Sequence, residues 1–418
     1  MAWSGRAVSR RAALLLILLV LLSTGAVVRL SIVMHAQREA QADVADLRLM
    51  QRQLFQQQAM LVGHRRRQLP RVDDVDVLAV VPTIPRPNSE GYLQRTLASI
   101  VEQIHKAHPF DAATAAAKRQ LSVRILVFKP SPQDHVHFEE ARQFWLESEE
   151  GIREAESAGI LFSFVDHGDE RLLDPDPLKP EPDHSNNPLA IPGHTARQQN
   201  CDLLSLMRYA LQRFGFKYLL FLEDDFLVCD DGWARMEEAV AKVAREPPLI
   251  PRDQIDGLVG LLVQSSVRAD ELPAFLKPEA RAALEAIVRL NSTERIRLAP
   301  TVVEQLAVPF RLLRMSYGME GILLHWIDAK AFADHLEANL ANKPIDLLVD
   351  SFLFPDKQEH PELGYMHLVP PHTVRRILME HIGTSSTYEE RNSADYRRPI
   401  RRCNTGNSGG ALWQSVDV

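Results

Sequence analysis

An unbroken apolar run at residues 218–222, Tyr-Leu-Leu-Phe-Leu, ends directly in three adjacent acids, Glu223, Asp224 and Asp225. A run that is apolar at every position predicts a strand covered on both faces, as in a parallel sheet. Three carboxylates at its end repel one another and lose hydration, so such a cluster persists where cations compensate it. Ligands of an α/β sheet bind beyond the carboxyl ends of its strands, which favours a metal site here over an acidic surface turn.

The segments around this run alternate as an α/β fold requires. Further strands are predicted at 75–81, 121–128, 160–165 and 365–369, and helices at 92–105, 139–158, 197–214, 233–244 and 329–340. The β-α-β order predicts a mixed, mostly parallel central sheet. Gly215 is predicted to close the helix that precedes the apolar run. Residues 166–192, rich in Pro, Asp and Asn, predict a long connection that is either functional, such as a mobile flap near the substrate, or disordered.

Mn²⁺ and Mg²⁺ prefer carboxylate and phosphate oxygens, and they usually bind one or two protein carboxylates together with the phosphates of a substrate. The acidic triplet resembles the DxD motif of GT-A glycosyltransferases. By that resemblance Asp225 is the predicted metal ligand, while Glu223 and Asp224 contact the ribose or the sugar, or orient the waters of the metal. The nearby Asp230-Asp231-Gly232 is predicted to be an ordinary turn before a helix.

Two further acids, Asp346 and Asp350, stand four residues apart, so they share one face if the segment is helical. Asp346 is predicted to cap a helix that begins at Pro344. Asp350 has apolar neighbours on both sides, and a carboxylate in an apolar setting is suited to accept a proton. An inverting sugar transfer needs a base that takes the proton from the acceptor hydroxyl, and Asp350 is the predicted base.

A single histidine, His381, stands just before Gly383-Thr384-Ser385-Ser386. The backbone N–H and hydroxyl groups of such a turn can bind phosphate oxygens. Although a lone histidine is more often structural, this position predicts that His381 completes a metal–diphosphate site and that Ser385 contacts the diphosphate.

Four blocks of this chain, at 198–210, 218–225, 343–350 and 381–386, together resemble the N-acetylglucosaminyltransferase IV family. The resemblance implies a GT-A fold, a divalent metal (Mn²⁺ or Mg²⁺) and UDP-GlcNAc as donor. It also implies inverting transfer of N-acetylglucosamine, in β1,4 linkage, to a mannose of an N-glycan. It supports Asp225 and His381 near the metal and Asp350 as base, and it places Thr83 and Arg86 in a first nucleotide-binding loop, facing uridine and diphosphate.

The likeness leaves the acceptor open. Members of that family carry a carbohydrate-binding domain after the catalytic part, whereas this 418-residue chain ends soon after Ser386. A related GPI-glycan GalNAc transferase shares similar blocks but has extra membrane spans, and no second long apolar run occurs here. Another UDP-sugar such as UDP-GalNAc, an inactive regulatory relative and a metal-dependent hydrolase stay open as alternatives.

Arg6, Arg10 and Arg11 precede an apolar run at 12–28. Its length predicts an uncleaved transmembrane signal anchor at 12–34 rather than a cleaved signal peptide. Because positive residues stay on the cytoplasmic side, residues 1–11 are the predicted cytoplasmic tail and the rest lies in the lumen. This orientation is a single-pass type II topology, and the short span fits the thinner membranes of the early secretory pathway. The predicted location is the Golgi membrane.

Leu47, Leu54 and Leu61 recur every seven residues within 35–70, which predicts a helical stem. The pattern leaves open whether this stem is one solvated helix or the coiled coil of a homodimer. Residues 71–418 are then the luminal catalytic domain.

Composition excludes one class of partner. The formal net charge is -7 and the pI is about 6.1, an acidic surplus that argues against a nucleic-acid-binding protein. Three cysteines, Cys201, Cys229 and Cys403, permit one disulfide without indicating the pair, and their spacing suggests no zinc site.

Overall fold

An eight-stranded sheet carries the fold. The computed structural model describes residues 72–85, 91–108, 121–176, 192–264, 267–316, 321–353, 371–382, 403 and 414–417. All of them belong to residues 62–418, one of two compact units of the chain. The sequence predictions for residues 1–70, the cytoplasmic tail, the span and the stem, lie outside the described residues. Across the described ranges no helix is long and apolar enough to cross a membrane.

Ten strands are described: β1 (Val72–Pro82), β2 (Val123–Lys129), β3 (Ile160–Asp166), β4 (Phe214–Phe221), β5 (Phe226–Val228), β6 (Leu312–Arg314), β7 (Ile322–His325), β8 (His372–Val374), β9 (Met379–His381) and β10 (Gln414–Val416). The order in the large sheet is β10-β8-β6-β7-β4-β1-β2-β3, and β5 pairs with β9 in a separate two-stranded ribbon. Within the large sheet only β7 runs antiparallel to its neighbours. The predicted mixed, mostly parallel sheet is confirmed.

Ten α-helices are described: α1 (Tyr92–Ala107), α2 (Val136–Glu147), α3 (Glu149–Ser157), α4 (His194–Arg213), α5 (Gly232–Val243), α6 (Ile255–Leu262), α7 (Pro278–Val288), α8 (Ser292–Leu306), α9 (Trp326–Asn339) and α10 (Ile345–Leu353). Short 3₁₀ turns lie at Gly168–Glu170, Arg252–Gln254 and Ala269–Glu271. The predicted apolar face of α1 is confirmed, since Leu93, Leu97, Ile100 and Ile104 are all buried. They belong to the hydrophobic core that also includes side chains of β1 and β2, because a 3.6-residue period keeps them on one side of the helix.

The strand order indicates where a ligand would bind to the sheet. The chain moves outward from β1 to β2 and β3, and then returns to the other side of β1 as β4. The carboxyl ends of β1 and β4 are therefore neighbours where the direction of winding reverses, which is where open α/β sheets bind ligands. Val80 pairs with Phe221, and the N–H of Leu222 donates to the carbonyl of Val80 at 3.0 Å. This register brings Thr83 beside the acidic triplet.

Two local predictions are wrong. The single helix predicted at 139–158 is two helices, because Ser148 adopts an extended conformation between α2 and α3 and its hydroxyl caps α3 by accepting from the N–H of Gly151. Gly215 does not close a helix but lies inside β4, which starts immediately after α4. The strand predicted at 365–369 lies outside the described residues, as does most of the predicted loop 166–192.

Cys229 and Cys403 form a disulfide, with 5.5 Å between their Cα atoms, and Cys201 is a buried free thiol. Sequence spacing alone left this pairing open. The bond ties the chain just after β5 to a position 174 residues later.

Candidate metal and substrate site

The predicted residues Thr83 and Asp224 meet at the point where the strand order reverses. Thr83 follows β1 and Asp224 follows β4, and the hydroxyl of Thr83 donates to Oδ2 of Asp224 at 2.6 Å. From α1, the hydroxyl of Thr96 donates to the backbone carbonyl of Asp224 at 2.8 Å. Both the main chain and the side chain of Asp224 are therefore fixed, and all three residues are buried. Glu223 is half-buried beside them.

The β5–β9 ribbon brings Asp225 to His381. Phe226 pairs with His381 across the two strands, and the N–H of Ile382 donates to the carbonyl of Asp225 at 2.8 Å. Nε2 of His381 lies 3.1 Å from Oδ2 of Asp225, and the ring of Phe226 packs edge-on against the imidazole. The two residues that the sequence assigns to the metal are thus in contact, although 155 others separate them.

The spacing of this pair fits a divalent ion. Two ligands at right angles on an octahedral ion, each about 2.1 Å from it, stand about 3.0 Å apart. The 3.1 Å between Asp225 and His381 matches this value, and it also suits a direct hydrogen bond when no ion is bound. A carboxylate and an imidazole accept Mn²⁺, and an ion held by two side chains keeps positions for water and phosphate oxygens. In the described ranges no group of three or more His, Cys, Asp or Glu is placed to hold a metal.

A cleft of about 260 Å³ opens beside the acidic triplet. Its walls come from the ends of β1, β2 and β4, the segment after β3, the first turns of α4 and the start of α10. The lining residues are Pro82, Ile84, Pro130, Arg171, His194, Thr195, Gln198, Gln199, Asp202, Leu203, Phe221, Glu223, Asp224 and Ile345. The lining combines apolar side chains with converging polar and charged ones, which can orient a small polar molecule. Glu223 and Asp224 face this cleft, as expected of residues that contact a substrate.

One polar wall of the cleft is an ion pair that the sequence did not predict. Arg171 donates from Nε and Nη2 to the two carboxylate oxygens of Asp202, at 2.9 and 2.7 Å. Gln198 donates to the same carboxylate at 2.9 Å. Burial raises the pKa of Asp202, although the ion pair opposes the shift, and the hydrogen bond to Asp202 raises the pKa of Arg171. A fixed carboxylate and guanidinium at a cleft wall can bind hydroxyl and amide groups.

A second ion pair anchors the start of α4 behind that wall. Asp174 accepts two hydrogen bonds of 2.8 Å from the fully buried Arg197 and one of 2.7 Å from His194. Burial alone would raise the pKa of Asp174, but the hydrogen bonds from Arg197, from the N–H of Asp176 and from His194 lower it overall. The described part of the predicted 166–192 loop is therefore fastened to α4.

Asp350, the predicted base, is not in the apolar setting expected from its neighbours. Its side chain is 55% exposed, on the outer face of α10, and Oδ1 lies 3.4 Å from Nη2 of Arg314. Arg314 ends β6 and pairs with Ile322, which pairs with Phe221 at the end of β4. Two strand spacings, about 10 Å, therefore separate Arg314 from the strand that carries the triplet. Asp350 lies at the correct edge of the sheet, and its role as base stays a prediction.

The remaining predicted residues have different outcomes. Arg86 and Ser385 lie outside the described residues, and Asp346 is in the first turn of α10. Asp231 adopts a left-handed conformation just before α5, which confirms the predicted acidic turn. Thr96 was missed, although a polar residue on the apolar face of α1 was a signal that could have found it.

No protein-family model and no curated protein sequence matches this chain. Among solved structures, mouse xyloside xylosyltransferase 1 is 13% identical over 79% of this chain and 95% of its own, with a TM-score of 0.28. The galactosyltransferase LgtC, solved with donor and acceptor sugar analogues, is 12% identical over 78% of this chain and 94% of its own, also at 0.28. TarS of S. aureus is 12% identical over 71% of this chain and 49% of its own, at 0.19. Similarity this low places the chain in no family.

Proposed function

We propose that this chain is a metal-dependent, inverting glycosyltransferase of the GT-A type. In this proposal it moves N-acetylglucosamine from UDP-GlcNAc to a mannose of an N-glycan in β1,4 linkage. The observation that carries the proposal is the contact of Asp225 with His381 beside a cleft at the switch point of the sheet. The resemblance of four sequence blocks to N-acetylglucosaminyltransferase IV supports the choice of donor and linkage.

Asp225 and His381 would hold the ion, Mn²⁺ or Mg²⁺, which compensates the charge of the diphosphate when it is bound. Glu223 and Asp224 would accept hydrogen bonds from hydroxyl groups of the ribose or the sugar. Thr83 fixes Asp224 through its 2.6 Å hydrogen bond, so that this acceptor is oriented before the donor arrives. Arg86 and Ser385, assigned from the sequence alone, would contact the uridine and the diphosphate.

Asp350 would take the proton from the acceptor hydroxyl as that oxygen attacks the sugar and UDP departs. Its exposure suits a base that meets a large acceptor arriving from solvent. Arg314 holds one of its oxygens at 3.4 Å and so limits its rotation. A Golgi location, a type II anchor at 12–34 and a homodimer joined through the stem at 35–70 belong to the same proposal and rest on sequence alone.

The test measures UDP release by the full-length chain, purified in mild detergent, from UDP-GlcNAc, Mn²⁺ and an N-glycan core acceptor. Asp225→Asn should lower turnover at least about 100-fold, because a metal ion supplies several kcal/mol of charge stabilisation. Asp230→Asn is the matched control, since that nearby acid is 86% exposed outside the cleft. Equal turnover in Asp225→Asn and wild type would refute the metal assignment.

A donor panel separates the remaining alternatives. Faster transfer from UDP-GalNAc, or to a GPI glycan, would replace the proposed donor or acceptor while keeping the metal site. Nucleotide-sugar binding without transfer would indicate an inactive relative. Cleavage of substrates with no nucleotide sugar present would indicate a hydrolase.

A further inference from the structure

Three buried side chains form a chain of hydrogen bonds behind the cleft. Nε2 of His135 lies 2.8 Å from the hydroxyl oxygen of Thr83, and that hydroxyl lies 2.6 Å from Oδ2 of Asp224. The exposed fractions of His135, Thr83 and Asp224 are 6%, 1% and 5%. Only the last of the three lines the cleft.

The chemistry of the groups sets the direction of both hydrogen bonds. A hydroxyl carries one proton and a carboxylate only accepts, so Thr83 must donate to Asp224. Its oxygen is then left as an acceptor toward His135. Nε2 of His135 therefore carries a proton and donates it to Thr83, which fixes the orientation of the hydroxyl.

The chain of contacts crosses three neighbouring strands. His135 stands at the start of α2, after β2, while Thr83 follows β1 and Asp224 follows β4. The strands β2, β1 and β4 are adjacent in the sheet. The β2 end is thus linked through Thr83 to the acid at the cleft.

We propose that His135 is a positioning residue for nucleotide-sugar binding. It acts through Thr83, whose hydroxyl it turns toward Oδ2 of Asp224, and so it holds the Asp224 carboxylate in one orientation at the cleft. This inference rests on the proposed function, in which Asp224 accepts a hydroxyl group of the donor. A preoriented acceptor binds that hydroxyl without first losing rotational freedom.

A purely structural role for His135 makes a different prediction. The imidazole also packs near the ring of Phe138, with 6.4 Å between ring centroids, and so contributes to the core around α2. If packing were its whole role, loss of the ring would lower the melting temperature and leave donor affinity as it was. The positioning role and the packing role of His135 therefore predict different values of the Kd for UDP-GlcNAc.

The experiment uses the full-length chain with Mn²⁺ and measures the Kd for UDP-GlcNAc by calorimetry, together with KM, kcat and the melting temperature. His135→Ala should weaken UDP-GlcNAc binding about tenfold, the usual net contribution of one hydrogen bond. We expect kcat to stay within about twofold, because Asp224 lines the cleft and His135 does not. His135→Gln, whose amide N–H can replace Nε2, should restore most of the affinity.

Two further variants test whether His135 acts through Thr83. Thr83→Val removes the hydroxyl at nearly constant volume and should weaken binding at least as much as His135→Ala. The double variant should bind no worse than Thr83→Val alone, because residues that act in one chain are not additive. Thr83→Ser keeps the hydroxyl and should retain affinity. Comparison of Thr83→Val with Thr83→Ser therefore tests the series of hydrogen bonds even if His135→Ala fails to fold. His105→Ala, at an exposed position of α1, is the control.

Four outcomes would overturn the proposal: wild-type affinity in His135→Ala, equal losses in the Ala and Gln variants, additive losses in the double variant, or equal affinity in the Val and Ser variants of Thr83. Any of these, in a chain that binds UDP-GlcNAc, refutes the role of His135 alone. A wild-type chain that binds no nucleotide sugar refutes the proposed function, and this inference with it.

Discussion

Loss of the Cys229–Cys403 disulfide should lower the free energy of unfolding by about 5 kcal/mol. The bond joins residues 174 apart. Closing a loop of that length removes about 17 cal/mol/K of entropy from the unfolded chain, which is about 5 kcal/mol at 25 °C. Cys403→Ser is the cleaner variant, because Cys403 is only half-buried whereas Cys229 is in the core.

The Cys229–Cys403 disulfide should also stabilise the metal pair, that is, Asp225 and His381 in contact. The N–H of Cys229 donates to the carbonyl of Leu378 at 2.9 Å, and the N–H of Cys403 donates to Glu380 at 3.2 Å. Both contacts clamp the ribbon that holds Asp225 beside His381. We expect Cys403→Ser to weaken Mn²⁺ binding about tenfold, the usual effect of loosening the groups around a metal ligand.

The assay is urea unfolding of the full-length chain in mild detergent, followed by tryptophan fluorescence, with Mn²⁺ binding measured by calorimetry. Wild-type chain treated with a reducing agent should unfold like Cys403→Ser. Cys201→Ala, which removes the free thiol, should keep the difference between oxidised and reduced chain. A loss of less than about 1 kcal/mol would refute the loop-entropy reasoning. Unchanged Mn²⁺ affinity would refute the link to the metal pair.

Three other outcomes follow from single contacts. Asp350→Asn should lower kcat by about 100- to 10,000-fold with unchanged Kd for UDP-GlcNAc, as loss of a general base does, and wild-type kcat would remove Asp350 from that role. Because the folded-state pKa of Asp174 is lowered, its stabilising effect is present above the unfolded pKa, about 4, and is lost as pH falls through the folded value. Asp174→Asn should therefore cost about 3 kcal/mol at pH 7, and its melting temperature should fall less than that of wild type between pH 5 and pH 3; parallel pH curves would contradict this. Gly321→Ala should destabilise the chain by at least about 1 kcal/mol, because φ is +64° and a Cβ would come 2.9 Å from the sulfur of Met379. Gly257→Ala, in open space on α6, should instead stabilise by about 0.5–1 kcal/mol, and equal melting temperatures for these two glycine variants would contradict the argument.

The strands β1 to β4 were predictable because their signal is local, whereas β5 to β10 have only three or four residues each and were not predicted. The run 218–222 is apolar at every position, which is typical of a strand buried on both faces. The order in which the strands pair is not local, so the reversal between β1 and β4 is visible only in the structure. His135 shows the same limit, since one histidine has no periodicity and its hydrogen-bond partner Thr83 lies 52 residues away.

The setting of Asp350 was predicted wrongly for a clear physical reason. Its apolar neighbours in sequence were assumed to surround it in space. On α10, however, residues 348, 349, 352 and 353 form the buried face, and Asp350 points away from them. Neighbours in a helix are three or four residues apart, so adjacent residues do not describe the surroundings of a side chain. Its partner Arg314 is 36 residues away and carries no sequence signal of the pairing.

The distance in sequence between Asp225 and His381 also affects how the protein is made. The strands from β1 to β4 can pair while synthesis continues, because all of them precede residue 222. At a synthesis rate of about 5–20 residues per second, His381 is added roughly 8–30 s after Asp225. Cys403, the partner of Cys229, is added later still. A nascent or truncated chain that ends before β9 can therefore form the parallel part of its sheet and still lack the paired ligands. In the proposed enzyme, competence to hold the ion would mark a chain synthesised past β9.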